Sequence, residues 1–573
     1  MKRKAANGFS LKPAAMLNIR PVVLHPHREP LVKPARSIAA IALLAAAPAF
    51  AQEAAPAQPR LIVAISVDQF SGDLFAQYRS SFTGGLARLA TEGAVFPAGY
   101  QAHAATETCP GHSTILTGSN PARTGIIANN WIDQGAARED KVIYCSEDES
   151  VAGSSSDKYT VSPVHLKVPT LGMRMKAANP ASRNVAVSGK DRGAVMMAGR
   201  DPDQIWWWGG QGFVTYPGKS SAAAAAVNAA VTRAIATARA PLELSPRCAA
   251  LARPVAVGGG TVGDGRFARE AGDRGRFRAS PEMDGATLAL AAGLIAEMRL
   301  GQGSAPDMLS ISLSATDYVG HGYGTEGSEM CLQMAALDRS LGDFFARLDG
   351  AGIDYAVMLT ADHGGHDLPE RAREQAAPDA QRVTADLAPK AVSQRIGAAL
   401  GLTGELVFGD GSFGDMWVSR SLSAADKARV VAEAKKQLSA HPQVQAVLTR
   451  AEIMATPMPR GPADSWTLLE RARASFDPER SGDYVVALKP RVTPIANPRP
   501  GGGVATHGSF WDYDRRVPIL FWLKGMTPFE QPLAITTTDI MPTLAALIGL
   551  PVPANEIDGV CRDLDAGPGT TCR

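Results

Sequence analysis

Beyond residue 51 the chain has no stretch approaching 18 uninterrupted apolar residues, so nothing there reads as a membrane-spanning helix. Neither sign of charge dominates, with 58 Lys and Arg against 56 Asp and Glu. No Cys-x-x-Cys spacing occurs, which argues against a cysteine zinc site. No internal repeat recurs along the 573 residues, and this excludes solenoids and propellers. Aromatics are sparse at 6%, yet 45% of residues are hydrophobic and 20% charged. That is ordinary globular composition, neither disordered nor coiled-coil. At about 150 residues per domain the length allows three to four domains and a large core.

The near-neutral total hides an asymmetry. Residues 1–51 carry eight basic residues and one acid, Glu29, so the body is mildly acidic and is not expected to bind nucleic acid or an anionic membrane. The basic start, with Met16 as an alternative first residue, runs into an apolar stretch from Ser37 that ends in Ala49-Phe50-Ala51. Charge, a short apolar region and an A-x-A site predict a secretory signal peptide over 1–51, followed by a Pro/Ala linker over 52–59. The mature protein is therefore expected to be soluble and periplasmic or secreted, without stable membrane insertion. Its six cysteines (Cys109, Cys145, Cys248, Cys331, Cys561, Cys572) are an even number in an oxidising compartment and predict disulfides. Sequence proximity suggests only one pair, Cys561 with Cys572.

Continuous apolar runs begin at Leu61, Val185, Met308, Ala356 and Val517, each with the length and β-branching of a buried parallel strand. Helical patterns alternate with them, at 84–93, 221–239, 285–298, 330–350 and 538–549. Alternating strands and helices predict an α/β fold with a mostly parallel sheet. The stretch 392–500 differs, with Pro-rich turns and a helix near 424–440, and reads as an insertion or cap.

Four of the strands end in chemistry-bearing residues: Asp68, then Lys190 and Arg192, then Asp317, then Asp362 with His363. Open α/β sheets bind ligands beyond the carboxyl ends of their strands. Asp317 and His321 are spaced i, i+4 and share a face if that segment is helical. Gly364 and Gly365 give the backbone room to turn so that Asp362 and His363 can both be ligands. His507 lies in the glycine-flanked loop ATHGS. Mixed carboxylate and imidazole donors suit zinc, and six of them exceed one tetrahedral ion, so two ions are implied. His103, His165 and His441 read as core residues, and His112 and His366 as groups that orient ligands. The run ETCPGH presents Thr108 near a helix N-terminus, where an anion is favoured. Thr108 is thus either a nucleophile or a simple N-cap. Cys109 is a rival nucleophile, although in an exported protein it reads better as half of a disulfide.

Taken in order, SVDQ (Asp68), ETCPGH (Thr108), GIIANNW (Asn129), Lys190-Asp191-Arg192, TDYVGH (Asp317, His321), TADHGG (Asp362, His363) and ATHGS (His507) resemble the motifs of the alkaline phosphatase superfamily. The resemblance is to its threonine-nucleophile, PafA-like secreted members, and it covers essentially residues 60–560. It implies a three-layer α/β fold, with a catalytic core over 60–391 and 501–560, a cap over 392–500 and a tail over 561–573. It also implies two zinc ions per chain, one held by Asp317, His321 and His507. The other would be held by Asp68, Asp362 and His363, with the oxygen of Thr108. Small phosphate monoesters would be hydrolysed through a phospho-threonine, their oxygens met by Asn129, Lys190 and Arg192. Rival readings are a nucleotide pyrophosphatase/phosphodiesterase of the same superfamily and a non-catalytic zinc- or phosphate-binding protein.

Overall fold

The computed structural model describes residues 58–263 and 265–572, so the expected signal peptide and most of the linker lie outside the described residues. Its centre is a ten-stranded sheet. Seven strands define it: β1 (Leu61–Val67), β2 (Ala94–Tyr100), β3 (Asn184–Ser188), β4 (Gln204–Trp208), β5 (Asp307–Leu313), β6 (Tyr355–Thr360) and β7 (Arg516–Leu523). Their spatial order is β2-β7-β6-β1-β5-β3-β4, with short strands at and near the edges.

The apolar run of β1, broken only by Ser66, reflects burial on both faces. Alternate side chains point to opposite faces, so Leu61, Val63, Ile65 and Val67 enter one apolar cluster while Ile62 and Ala64 enter another. Helices cover both faces. The helix Ser328–Gly350 supplies Met330, Met334, Leu337, Leu341 and Phe344 to the first cluster, at the i, i+3/i+4 spacing of one helical face. Ile540–Leu547 supplies Ile540, Met541 and Leu544 to the second. Truncating a fully buried member such as Leu341 to Ala would cost about 2–5 kcal/mol.

β1 runs parallel to β5 and β6, and β3 is parallel to β5. The register sets Val67 beside Leu313, Ser66 beside Thr360 and Ser312 beside Ser188, so the carboxyl ends of these four strands are level. The expectation for Val517 onward needs correction. β7 is antiparallel to both β6 and β2, because the chain enters it from the loop that carries His507, at the edge where β6 ends. Its ladder shifts register between Val517 and Ile519, where Pro518 has no N–H to give.

The stretch from residue 407 to 488 contributes a separate four-stranded sheet, ordered Val407–Phe408, Gly414–Val418, Tyr484–Leu488, Val444–Thr449. Its own apolar cluster includes Val418, Val447, Tyr484 and Val486, and the helix Ala424–Ser439 packs Val430, Ala434 and Leu438 into it. Disulfides join Cys109 to Cys145, Cys248 to Cys331 and Cys561 to Cys572. No helix among the described residues is long and apolar enough to cross a membrane.

Candidate active site

The level strand ends bring the chemistry together. Asp68 follows β1, with its amide donating to the Leu313 carbonyl at 2.9 Å. Helix α1 (Thr108–Ile115) begins at Thr108, and Glu107 is the N-cap, so Thr108 is the first helical residue rather than the cap. The glycine of ETCPGH is required by close approach: a Cβ on Gly111 would collide with the Asp362 carbonyl oxygen. Helix α2 (Asp191–Ala198) begins right after Lys190. Helix α3 (Ala315–Tyr323) puts Asp317 and His321 one turn apart, as their spacing requires. After β6, neither Gly364 nor Gly365 takes a positive φ. These glycines serve contact instead, since Gly364 and Gly365 donate to the Asp514 and Tyr513 carbonyls at 2.6 and 3.0 Å and a Cβ on Gly364 would strike Tyr513.

Two trios result. In Asp317, His321 and His507, and in Asp68, Asp362 and His363, one ligand atom from each residue lies within 4.8 Å of the others. Within the first trio, Asp317 Oδ1 is 3.2 Å from His321 Nε2 and 3.4 Å from His507 Nε2. Within the second, His363 Nε2 is 3.3 Å from Asp362 Oδ2 and 3.5 Å from Asp68 Oδ1.

The donor chemistry fits metal ions. Asp68 Oδ1, Asp317 Oδ1, Asp362 Oδ2 and His363 Nε2 are buried and make no hydrogen bond, a costly arrangement for polar atoms without a partner. All three histidines turn Nδ1 to a backbone carbonyl: His321 to Ala505 at 2.9 Å, His363 to Gly364 at 2.8 Å and His507 to Thr106 at 2.8 Å. That leaves each Nε2 as the lone pair facing its trio. His112 contrasts with them, because Nδ1 meets the Thr108 carbonyl at 2.9 Å and Nε2 meets Ser312 Oγ at 3.0 Å. It also lies 3.1 Å from Asp362 Oδ2, in the orienting position expected of it. His366 does not join the site; it bonds Thr493 Oγ1 at 3.1 Å. His103 is buried against Gln101, and His165 is buried too.

Electrostatics sharpen the picture. Burial, then repulsion from Asp317 and Asp362, raises the Asp68 carboxyl well above its usual range. Burial also pushes Asp317 and Asp362 upward. It is outweighed by His321 and Lys190 for the former and by His363 and His112 for the latter, so both stay below the usual range. Burial drives the His363 imidazole down to about 3, so it is neutral and ligand-ready at working pH. Lys190 bridges the trios, with Nζ 2.6 Å from Asp68 Oδ2, 2.6 Å from Asp317 Oδ2 and 3.4 Å from Thr108 Oγ1. Asn129 is clamped from three sides. Its amide donates to Glu107 Oε2 at 2.7 Å, and its Oδ1 and carbonyl accept from the Cys109 and Cys145 amides at 2.9 Å each. The side-chain NH2 is the end left to meet a ligand. Arg192 contacts Tyr144 OH at 3.3 Å. Glu107 and Tyr144 were not singled out in the sequence; the only signal was their adjacency to Thr108 and Cys145.

The profile of the type I phosphodiesterase / nucleotide pyrophosphatase family matches residues 62–510. The alkaline phosphatase PhoK of Sphingomonas sp is 60% identical over 525 residues, covering 91% of this chain and 94% of PhoK. The alkaline phosphatase PhoD of Zymomonas mobilis is 50% identical over 519 residues, covering 90% of this chain and 89% of PhoD. The crystal structure of wild-type alkaline phosphatase PafA superposes with a TM-score of 0.76 at 25% identity, covering 88% of this chain and 99% of that one. The chain belongs to the type I phosphodiesterase / nucleotide pyrophosphatase family and, within the alkaline phosphatase superfamily, is one of its PafA-like members.

Proposed function

We propose that this protein is an alkaline phosphatase that hydrolyses small phosphate monoesters to an alcohol and inorganic phosphate through a phospho-threonine at Thr108. The observation that carries the reading is the pair of trios bridged by Lys190, whose Nζ also reaches the buried Thr108 hydroxyl. Relatives named alkaline phosphatase, at 60% and 50% identity, support it.

Asp68, Asp362 and His363 would hold one zinc together with the Thr108 oxygen, and Asp317, His321 and His507 the other. Bound there, zinc would supply Lewis acidity, lowering the pKa of the Thr108 hydroxyl and stabilising negative charge that develops on oxygen. Thr108 Oγ1, giving up its proton, attacks phosphorus in line as the ester P–O bond breaks and the alkoxide leaves to be protonated to the alcohol. Water then attacks the phospho-threonine, breaking its O–P bond to release inorganic phosphate and restore the hydroxyl. Charge in the transition state spreads over the non-bridging oxygens. Lys190, Arg192 and the Asn129 NH2 are the donors that meet them, Arg192 with a planar fork suited to two oxygens. His112 lies beside the Asp362 carboxylate, its Nδ1 3.1 Å from Oδ2, while its other nitrogen is tied to Ser312.

The catalytic core (60–391 and 501–560), the cap (392–500), the tail (561–573) and export to the periplasm or beyond belong to the same reading. The family's name supplies a second reading, a phosphodiesterase. A diester carries one charge and an extra organic group, whereas Lys190 and Arg192 favour a dianion. Rates on p-nitrophenyl phosphate and bis-p-nitrophenyl phosphate, each with and without chelator, decide it. Faster, chelator-sensitive monoester turnover supports a phosphatase, diester preference supports the rival, and no turnover leaves a binding protein.

A further inference from the structure

The guanidinium of Arg192 has a carboxylate beside it in sequence, Asp191, yet among the described residues it makes no ion pair. Asp191 is occupied elsewhere. Its Oδ1 accepts from Tyr144 OH at 2.7 Å and from the Arg192 backbone amide at 2.7 Å. Its Oδ2 accepts from Tyr159 OH at 2.8 Å. Arg192 reaches this cluster through a neutral atom, donating from Nη1 to Tyr144 OH at 3.3 Å, while its Nε is buried without a hydrogen-bond partner. The Tyr144 hydroxyl therefore gives its proton to Asp191 and its lone pair to Arg192.

The position of Tyr144 is itself fixed to the nucleophile. It pairs with Asn130 across the hairpin formed by Asn130–Ile132 and Val142–Tyr144. The next residue, Cys145, is bonded to Cys109, which follows Thr108. Cys145 also donates its amide to the Asn129 carbonyl at 2.9 Å. One stapled hairpin thus sets Asn129 and Tyr144 relative to the start of α1.

We propose that Tyr144 is a positioning residue for phosphate: with Tyr159 it keeps Asp191 from neutralising Arg192, and it tethers the guanidinium through a neutral hydroxyl, so that a full positive charge meets the dianionic monoester. The proposal rests on the reading of Arg192 as a phosphate-binding group. A neutral tether matters because a carboxylate in its place would offset the charge that the substrate needs. Burial raises the Tyr144 phenol above its ordinary value, so it remains a donor to Asp191 at alkaline pH.

The test uses the metal-loaded enzyme and its Tyr144→Phe, Tyr159→Phe, Arg192→Ala and Tyr144→Phe/Asp191→Asn variants. Readouts are monoester and diester kcat/KM and the inhibition constant of inorganic phosphate. Tyr144→Phe should lower monoester kcat/KM and phosphate affinity roughly tenfold each while diester kcat/KM changes much less. Tyr159→Phe, which frees only the other carboxylate oxygen, should shift the same quantities in the same direction by less. Removing the competing charge in Tyr144→Phe/Asp191→Asn should restore part of the loss, and Tyr144→Phe should add little in an Arg192→Ala background. Equal losses on both substrates, no rescue by Asp191→Asn, or additivity with Arg192→Ala would overturn the positioning role. If Arg192→Ala alone left monoester turnover and phosphate inhibition unchanged, the reading of Arg192 would fall instead, and the proposal with it.

Discussion

The Nζ of Lys190 lies 3.4 Å from the Oγ1 of Thr108, and both side chains are buried, at 3% and 1% exposure. No other cation bonds that hydroxyl among the described residues. The same ammonium contacts Asp317 and Asp68 at 2.6 Å each, and their charges outweigh burial and hold it above its ordinary pKa. Lys190 therefore keeps its charge beside the Thr108 hydroxyl.

Removing that charge together with Arg192 gives the first prediction. Each charge-assisted contact in a site of this burial is worth about 2–3 kcal/mol. Lys190→Ala/Arg192→Ala should lower monoester kcat/KM by on the order of a thousandfold or more. A diester presents one charged oxygen fewer and should lose much less, so the monoester-to-diester ratio falls. An equal loss on both substrates would assign these residues to the metals or the fold.

The hydroxyl is tested by exchange. Thr108→Ala should abolish most turnover while leaving zinc content intact, because each trio retains three ligands. Thr108→Ser keeps an oxygen at the start of α1 and should retain substantial activity. Cys109 is bonded to Cys145 and has no free thiol to compete. Loss of activity in Cys109→Ser with its fold intact, alongside full activity in Thr108→Ala, would reassign the nucleophile.

Metal content follows from the two trios. Elemental analysis of the purified enzyme should find about two zinc ions per chain. Asp362→Ala or His507→Ala should lower both zinc and activity, since each removes one of three ligands from one site. Chelator treatment should abolish turnover and zinc addition restore it. Full activity with either ligand gone would refute the ligand assignment.

The main strands and the individual ligand residues were largely legible because their signals are local. The grouping of those ligands into two trios followed only from the resemblance to the family. β1 is apolar at every position but Ser66 because both of its faces are buried, and Asp68 is its next residue. Asp317 and His321 announce themselves by helical spacing. The direction of β7 was not legible, since an apolar run carries no arrow and the chain's point of entry sets it. β2 was passed over because Pro97 and Gly99 interrupt its pattern. The Asp191 cluster was hidden for another reason. Tyr144 is 47 residues from Asp191 and Tyr159 is 32 away, and such contacts arise only when a fold brings separate segments together. The Cys109–Cys145 and Cys248–Cys331 pairings, with separations of 36 and 83, were out of reach for the same reason.

A last prediction concerns stability against pH and a carboxyl outside both trios. Asp284 is 1% exposed; its Oδ1 accepts from the Ala315 amide at the start of α3, and its Oδ2 from Gln333 Nε2 at 2.8 Å. Burial pushes its pKa up to about 7 from an ordinary 3.8, because those hydrogen bonds only partly offset desolvation. Between these values the folded protein holds a proton that the unfolded chain has released. Its favourable contribution is complete below about pH 3.8 and is lost as pH rises through about 7, leaving a buried charge at alkaline pH. Asp284→Asn keeps an oxygen for the Ala315 amide. It can also meet Gln333 if that side chain turns its amide over, because Gln333 Oε1 is buried without a hydrogen bond. Relative to the parent, the variant should gain stability as pH rises from about 4 to 7 and hold that gain at pH 9, measured as denaturation midpoints across the range. A variant less stable than the parent by the same amount at every pH would mean that Asp284 does not change its proton on folding, and that its value lies in the two hydrogen bonds it accepts.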